Sequence, residues 1–175
     1  MIPGKGRWHE AEINVNGENV YLVKPLDYMN NSGFVIGDYL ERKNISLNTQ
    51  DLLVIIDDFQ LPLGTLRFRK NGSDGGHNGL ANIIYHLNTD DIPRMRIGIG
   101  SEAPVRSENF VEYVLSDFTA KETEVIQTLK PVLTESINNF INNGITDTMN
   151  KYNKYHLSDK KEIKTNNINN DKLSR

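Results

Sequence analysis

Two adjacent aspartates, Asp57 and Asp58, follow the longest continuous apolar run of the sequence, Leu52 to Ile56. A carboxylate at the end of a buried strand can be held partly away from water and directed at a neighbouring imidazole. It then fixes the tautomer of that histidine and stabilises its cationic form during proton transfer. The alternative is that the aspartate pair only ends the strand and begins a turn, and position alone leaves both interpretations open.

A glycine-rich segment, Asn71 to Gly79, has four glycines within eight residues and includes His77 and Asn78. The backbone N–H groups of such a loop, and the N-terminus of a following helix, favour anions such as phosphate. The loop is not of the Gly-Lys-Ser/Thr type, and its glycine spacing is not that of dinucleotide-binding folds. His77 and Asn78 could present polar edges to an ester or amide, although a structural turn with a solvated histidine is a close alternative.

Basic residues cluster on two predicted neighbouring strands: Arg67, Arg69, Lys70, Arg94 and Arg96. Guanidinium groups match the geometry of phosphate, so these side chains could form a phosphate-binding rim. An ordinary solvated strand face explains the same residues about as well.

Three residues at a strand-to-helix junction, Tyr28, Met29 and Asn30, combine an aromatic ring, a flexible apolar side chain and an amide. This combination suits a substrate-binding surface. Taken alone, it also suits packing and helix capping.

The elements that position these residues alternate between strands and helices. Apolar patterning predicts four strands, at Val20 to Val23, Leu52 to Ile56, Gly64 to Lys70 and Met95 to Ile99. It predicts helices from about Ser32 to Arg42, from Leu80 to Leu87, and a long one after the Thr119 and Glu122 capping box, bent at Pro131. This order predicts a single α/β domain, with a mixed, largely parallel central sheet flanked by helices.

Composition limits the class of protein. The 175 residues are 37% hydrophobic and 25% charged, which predicts one domain at residues 1–157 and a disordered polar tail at 158–175. No apolar stretch suits a membrane span or secretory signal, so we expect a cytoplasmic protein. Without cysteines, and with four scattered histidines, we expect neither metal nor cofactor. The net charge of −3 argues against indiscriminate coating of nucleic acid.

Several long motifs, taken in order, resemble the bacterial-type peptidyl-tRNA hydrolase family. They are the segments Lys24 to Gly33, Asp57 to Gly64, Gly72 to Gly79, Pro93 to Gly100, Tyr113 to Ser116 and Met149 to Asn153. Asp27 stands where the family pattern usually has threonine, and Gln60 where it has aspartate. The resemblance covers roughly residues 18 to 153.

The resemblance implies hydrolysis of the ester that joins a peptide to the 3′ ribose of tRNA, by a water that a histidine activates, without metal. Asp57 would orient that histidine and stabilise its protonated form. The protein would bind tRNA and act as a monomer, away from membranes.

The same resemblance assigns binding residues. Tyr28 and Asn30 would line the site for the terminal nucleotide and the peptide, and Asn78 would help to hold water or substrate. His77 and Met29 would flank this cleft. Arg69 and Arg96 would clamp the 5′ phosphate of the tRNA, a contact that positions RNA without reading its sequence.

One part of the family pattern, G-L-G-N-P-G followed by T-R-H-N-x-G-F, is not found before Val20. Its histidine is the family's general base. We therefore expect an N-terminal strand of the sheet and the catalytic histidine to be missing, with Met1 as an internal start. Two alternatives stay open: a catalytically inactive RNA-binding relative, and a nonfunctional fragment with unpaired sheet edges.

Overall fold

Two three-stranded sheets and four α-helices are present in a computed structural model that describes residues 2–3, 7–101 and 107–153. The first sheet has the order β1-β2-β3, with β1 at Ile2–Pro3, β2 at Trp8–Val15 and β3 at Glu18–Pro25. All its neighbouring strands are antiparallel. The predicted strand at Val20 to Val23 is therefore the middle of β3.

A tight hairpin joins β2 to β3. Val15 pairs with Glu18, so Asn16 and Gly17 form a two-residue turn with φ of 53° and 94°. Positive φ at both positions is typical of the turn whose twist matches that of the strands. Helix α1 (Ser32–Lys43) shares an apolar cluster with the hairpin, in which the rings of Trp8 and Tyr39 meet edge to face at 5.4 Å.

The second sheet carries the residues singled out above. It has the order β4-β6-β5, with β4 at Val54–Pro62, β5 at Leu66–Arg69 and β6 at Arg94–Gly100. Strands β4 and β6 are parallel, whereas β5 and β6 are antiparallel. An α/β fold with a mixed sheet flanked by helices is thus confirmed, and in the described residues its strands divide into two sheets.

Strand β4 runs through the aspartate pair, so the prediction that the strand stops at Ile56 is wrong. In the parallel ladder Asp57 lies opposite Ile97, and Asp58 lies opposite Gly98. A side chain on Gly98 would approach the carbonyl oxygen of Pro62 to 2.1 Å, so only glycine lets β4 pass this closely. Asp57 is consequently held by strand pairing and not by a turn.

Helices pack against the second sheet through two separate clusters. Helix α2 (Asn78–Leu87) contributes Leu80 and Ile83 to a cluster with Val54 of β4. Helix α4 (Ala120–Tyr152) covers the core that contains Leu66, Phe68 and Met95. Both Leu66 and Phe68 are fully buried, as the predicted alternation along β5 requires. A short helix, α3 (Phe110–Leu115), precedes α4.

Helix α4 begins as the sequence predicts and bends elsewhere. Thr119 and Glu122 form the predicted capping box. The backbone departs from helical angles at Gly144, with φ of 74° and ψ of −179°, and not at Pro131. Across this break the buried Asn139 donates to Asp147 and Thr148, at 2.9 Å and 3.0 Å. The bend thus follows from a glycine that can adopt positive φ.

The end of α4 is fastened to the edge strand β5. The side-chain oxygen of Asn153 accepts a hydrogen bond from the Phe68 backbone N–H at 2.6 Å, and its amide donates to the Phe68 carbonyl at 3.0 Å. Asn153 therefore closes part of an exposed sheet edge.

Two sequence-based predictions are not tested by this fold. The tail at 158–175 lies outside the described residues, and the domain boundaries stay a prediction. Among the helices that are described, none combines the length and apolar character needed to cross a bilayer.

Candidate active site

Asp57 and His77 form the centre of the site. The Asp57 side chain is about one third exposed, and its Oδ1 lies 3.6 Å from Nε2 of His77. His77 is the N-cap of α2, where its Nδ1 accepts a hydrogen bond from the backbone N–H of Leu80 at 3.1 Å. Because Nδ1 is the acceptor, the neutral ring carries its proton on Nε2, which points at the carboxylate.

The charge state of Asp57 follows from this neighbour. The His77 ring lowers the pKa of the Asp57 carboxyl below its usual value of 3.8, against partial burial, which acts to raise it. Asp57 is therefore ionised at neutral pH. Since one nitrogen of His77 caps a helix and the other faces Asp57, His77 cannot accept a proton from water without losing one of these contacts.

Gly79 brings Met29 and His77 together at the first turn of α2. A Cβ at Gly79 would lie 2.5 Å from Sδ of Met29 and 3.0 Å from Cε1 of His77, so both side chains contact the space that this glycine leaves. Met29 belongs to a 3-10 turn, Met29–Asn31, between β3 and α1. Met29 and His77 therefore lie close together beside Gly79, and the cleft that they would flank stays a prediction.

Asp27 shapes that 3-10 turn. Its Oδ1 accepts from the backbone N–H of Tyr28 at 2.8 Å and from the Asn31 amide at 3.2 Å, while Oδ2 pairs with Arg7 at 2.9 Å. These hydrogen bonds lower the pKa of the Asp27 carboxyl. At the position where the family pattern has threonine, a charged carboxylate thus holds this turn.

The other predicted binding residues lie at this surface with their side chains in solvent. Tyr28 is 82% exposed, and Asn30 and Asn78 are also exposed. Asn78 is the first residue of α2 and follows His77 directly, whereas Tyr28 and Asn30 flank Met29 in the chain. All three are accessible to a ligand.

A basic pocket of about 180 Å3 adjoins the glycine-rich loop. It is lined by Arg69, Arg94 and Arg96 together with loop residues 71–75. In the β5–β6 register, Arg69 lies opposite Arg94 and Arg67 lies opposite Arg96. Like charges directly opposite each other destabilise a sheet, so the Arg69–Arg94 pair, which lines the pocket, favours a bound anion there.

The arginines of this pocket differ in what they can bind. Arg94 is buried and donates to the carbonyls of Gly72 and Asp90, at 2.8 Å and 3.3 Å, and burial lowers its pKa. It therefore holds the glycine-rich loop instead of forming part of an exposed rim, which corrects its suggested role as a rim residue. Arg69 and Arg96 are half-buried and line the pocket.

Asp58 lies next to Asp57 in β4, and the motifs assign it no role. Its buried carboxylate forms an ion pair with Arg96. The Oδ1 atom also accepts from the backbone N–H of Gln60 at 2.8 Å. Adjacent residues of a strand face opposite sides of the sheet, so the sequence could have indicated that Asp57 and Asp58 have different partners.

A second cleft, of about 220 Å3, is lined by Asp57 and by residues of α3 and the segment after it. Ile99, Val114 and Phe118 make part of it apolar, and Asp117 and Glu122 add carboxylates. Tyr113 closes one side, where its hydroxyl donates to the Ile99 carbonyl. Asp57 thus faces a cleft that is both acidic and apolar. Its partner His77 comes two residues after the loop segment that lines the basic pocket.

Comparison with known sequences extends the region that the motifs cover. A family model described as "Peptidyl-tRNA hydrolase" matches residues 4–162. The peptidyl-tRNA hydrolase of Fervidobacterium nodosum is 43% identical over 150 residues, which is 85% of this chain and 76% of that protein. The peptidyl-tRNA hydrolase of Chlorobaculum parvum is 39% identical over 151 residues, covering 86% of this chain and 78% of that one.

Solved structures resemble the fold. The crystal structure of peptidyl-tRNA hydrolase from Acinetobacter baumannii superposes with a TM-score of 0.74 at 27% identity, covering 85% of this chain and 74% of that one. A crystal structure of a peptidyl-tRNA hydrolase in complex with N-propanol gives a TM-score of 0.75 at 26% identity, covering 86% and 74%.

Proposed function

The chain belongs to the peptidyl-tRNA hydrolase family, which are ester hydrolases, and we propose that Asp57 is the carboxylate on which its catalysis depends. The reaction hydrolyses the ester between a peptide and the 3′ ribose of tRNA and so frees tRNA from stalled translation. The observation that carries the proposal is the position of Asp57. It is fixed in the strand ladder, ionised, and lines a cleft, while the next residue, Asp58, pairs with Arg96 of the basic pocket.

Asp57 acts through an imidazole. A carboxylate beside a histidine base keeps the ring in one tautomer and stabilises the cation that forms when water loses its proton. His77 is unsuited to be that base, because both of its ring nitrogens are engaged. None of the four histidines of the sequence stands in the T-R-H-N context of the family's base. We therefore propose that the base that Asp57 serves is an imidazole other than His77.

The RNA side of the substrate occupies the basic pocket. Arg69 and Arg96 bind the 5′ phosphate, and the ion pair with Asp58 fixes the Arg96 guanidinium for this contact. The glycine-rich loop adds backbone N–H groups, which favour anions. Arg94 supports the pocket by holding that loop.

The ester lies between the basic pocket and the second cleft, where the exposed polar side chains are. Tyr28 and Asn30 bind the terminal nucleotide and the peptide, and Asn78 holds water or substrate. Met29 and His77 form the wall between Asn78 on one side and Tyr28 and Asn30 on the other. We further propose that the protein acts as a cytoplasmic monomer without a metal ion.

The test is hydrolysis of N-acetyl-aminoacyl-tRNA by the purified chain, with and without added imidazole. If Asp57 serves an imidazole base, free imidazole should increase turnover of the chain, and Asp57→Asn should abolish the increase. The matched control is Asp117→Asn, which removes an exposed carboxylate from the same cleft and should leave the increase unchanged.

Two outcomes contradict this role of Asp57. In the first, Asp57→Asn and the unmodified chain have equal turnover at every imidazole concentration. In the second, tRNA binds in a salt-dependent manner while the chain shows no turnover with or without imidazole, as a protein that only binds RNA would.

A further inference from the structure

A row of exposed rings crosses the surface formed by α1 and α2. Tyr85 is 79% exposed, and its ring centroid lies 5.4 Å from that of His86. The His86 ring meets Phe34, which is 47% exposed, edge to face at 6.4 Å. Phe34, Tyr85 and His86 form what we call the aromatic ledge. The Arg7 guanidinium lies 5.1 Å from the centre of the Phe34 ring, at the end of the ledge, and also pairs with Asp27.

The backbone beneath the ledge orients the His86 ring, which lies between the other two. The Gly33 N–H donates to Oδ1 of Asn82 at 2.8 Å, and a Cβ on Gly33 would lie 2.2 Å from the Asn82 carbonyl oxygen. This contact brings α1 close to α2. Nδ1 of His86 donates to the same carbonyl at 2.9 Å, which orients its ring. Rings already held in place lose little freedom when they bind a ligand.

The ledge lies in line with a residue of the proposed tRNA site. Tyr85 follows Asn78 by seven positions on α2, which is about two helical turns and returns to within about 20° of the same helix face. The separation along the helix axis is about 10.5 Å. Nucleotides stacked as in a helix advance about 3.4 Å each, so this distance spans about three of them.

We propose that the aromatic ledge stacks a base of the unpaired 3′ end of tRNA, two or three nucleotides away from the ester. This inference rests on the proposed function, in which Asn78 contacts the terminal nucleotide or the ester. Unpaired bases stack on aromatic side chains irrespective of sequence, which suits an enzyme that must accept every tRNA. Arg7 ends the ledge on one side, where it contacts the Phe34 ring and pairs with Asp27. The ledge thus contributes to affinity and does not take part in the chemical step.

Kinetics on two substrates tests the ledge. Tyr85→Ala should raise KM for N-acetyl-aminoacyl-tRNA about tenfold with kcat unchanged, in line with the usual contribution of one stacked base. The same variant should leave the hydrolysis of N-acetyl-aminoacyl-adenosine unchanged, because this ester has no second or third nucleotide. Tyr85→Phe should retain wild-type KM. Tyr21→Ala, which removes another exposed ring from β3, is the matched control and should have no effect.

A binding measurement separates failure of the ledge from failure of the proposed function. Uncharged tRNA would carry 2-aminopurine at one unpaired 3′ position at a time, because the fluorescence of this base falls when it stacks. We expect quenching two or three nucleotides from the terminal nucleotide, and its loss in Tyr85→Ala. If the chain hydrolyses neither ester, the proposed function fails while the fluorescence still decides the ledge. The ledge proposal is overturned if Tyr85→Ala loses activity equally on both esters, or if 2-aminopurine is not quenched at these positions. The exposed rings would then suit a protein partner.

Discussion

The imidazole of His77 joins the start of helix α2 to the Asp57 carboxylate: Nδ1 accepts from the Leu80 backbone, and Nε2 lies 3.6 Å from Oδ1. One ring thus serves both as a helix cap and as the neighbour that lowers the pKa of the Asp57 carboxyl. The two roles can be separated, because asparagine is also a good N-cap residue but has no second nitrogen to reach Asp57.

We expect His77→Asn to leave the fold intact and to raise the pKa of the Asp57 carboxyl, since burial then acts without the opposing ring. In the unmodified chain the lowered pKa stabilises the fold above the unfolded pKa, near 3.8, and this contribution disappears as the pH falls through the folded value. The His77→Asn variant should lack this contribution. Its free energy of unfolding should therefore depend less on pH below about 4 than that of the unmodified chain. Titration of the Asp57 carboxyl by 13C NMR measures the shift. An unchanged pKa would show that His77 does not set the charge of Asp57.

The phosphate-clamp proposal predicts a dependence on one chemical group of the tRNA. Arg69→Ala should weaken tRNA binding and reduce the slope of log affinity against log salt by about 0.7 to 0.9, the change for one phosphate contact. Arg67→Ala, an exposed arginine two residues away on β5, is the control and should change both much less. On tRNA without its 5′ phosphate, Arg69→Ala should have no further effect. If the loss of affinity from Arg69→Ala and the loss from removing the 5′ phosphate add up, Arg69 contacts a different part of the RNA.

Two glycines should respond differently to the same substitution. Gly33→Ala places a methyl group 2.2 Å from a backbone oxygen of Asn82, which cannot move aside, so we expect a loss of about 2 kcal/mol or more in the free energy of unfolding. Gly79→Ala instead meets the flexible end of Met29 at 2.5 Å. Its stability should change by less than about 1 kcal/mol, while KM should rise because Met29 is displaced. Urea unfolding and steady-state kinetics on both variants distinguish these effects. Equal destabilisation of the two would contradict the difference in their surroundings.

Tyr152 predicts how stability changes in alkali. Burial, together with the hydrogen bond to Glu135 at 2.9 Å, raises the pKa of its phenol to about 12. A raised folded pKa stabilises the fold below the unfolded value, near 10, and this contribution is lost as the pH rises to 12. The loss should be on the order of 2 kcal/mol. Tyr152→Phe should be less stable at neutral pH by about 1 kcal/mol and less sensitive to pH between 10 and 12. Parallel pH dependence of the two proteins in urea unfolding would sink this assignment.

Features that depend on neighbouring residues in the chain were predictable from the sequence. The capping box at Thr119 and the alternation of Leu66 and Phe68 each rely on contacts within a few residues, and the structure has both. Asn16 and Gly17 are an equally local hairpin signal, and strand β2, which precedes them, was also predictable from it.

Features that depend on distant pairing were not predictable. Two adjacent carboxylates usually end a strand, but here the parallel register with β6 carries β4 through Asp57 and Asp58. Arg94 and Arg96 are both arginines, and both lie on β6. Their different roles follow from contacts with Gly72 and Asp58, which the fold alone brings into range.

The fastening of Asn153 to Phe68 has a consequence for the biogenesis of the protein. The two residues are 85 positions apart, so a ribosome must add the whole of α3 and α4 before the β5 edge can be closed. Until then, a nascent chain carries an open strand edge, which is a template for aggregation and a substrate for chaperones. A chain that stops between β5 and Asn153 lacks this contact, so a protein of a family that frees tRNA from stalled translation is left with an open sheet edge when its own synthesis stops early.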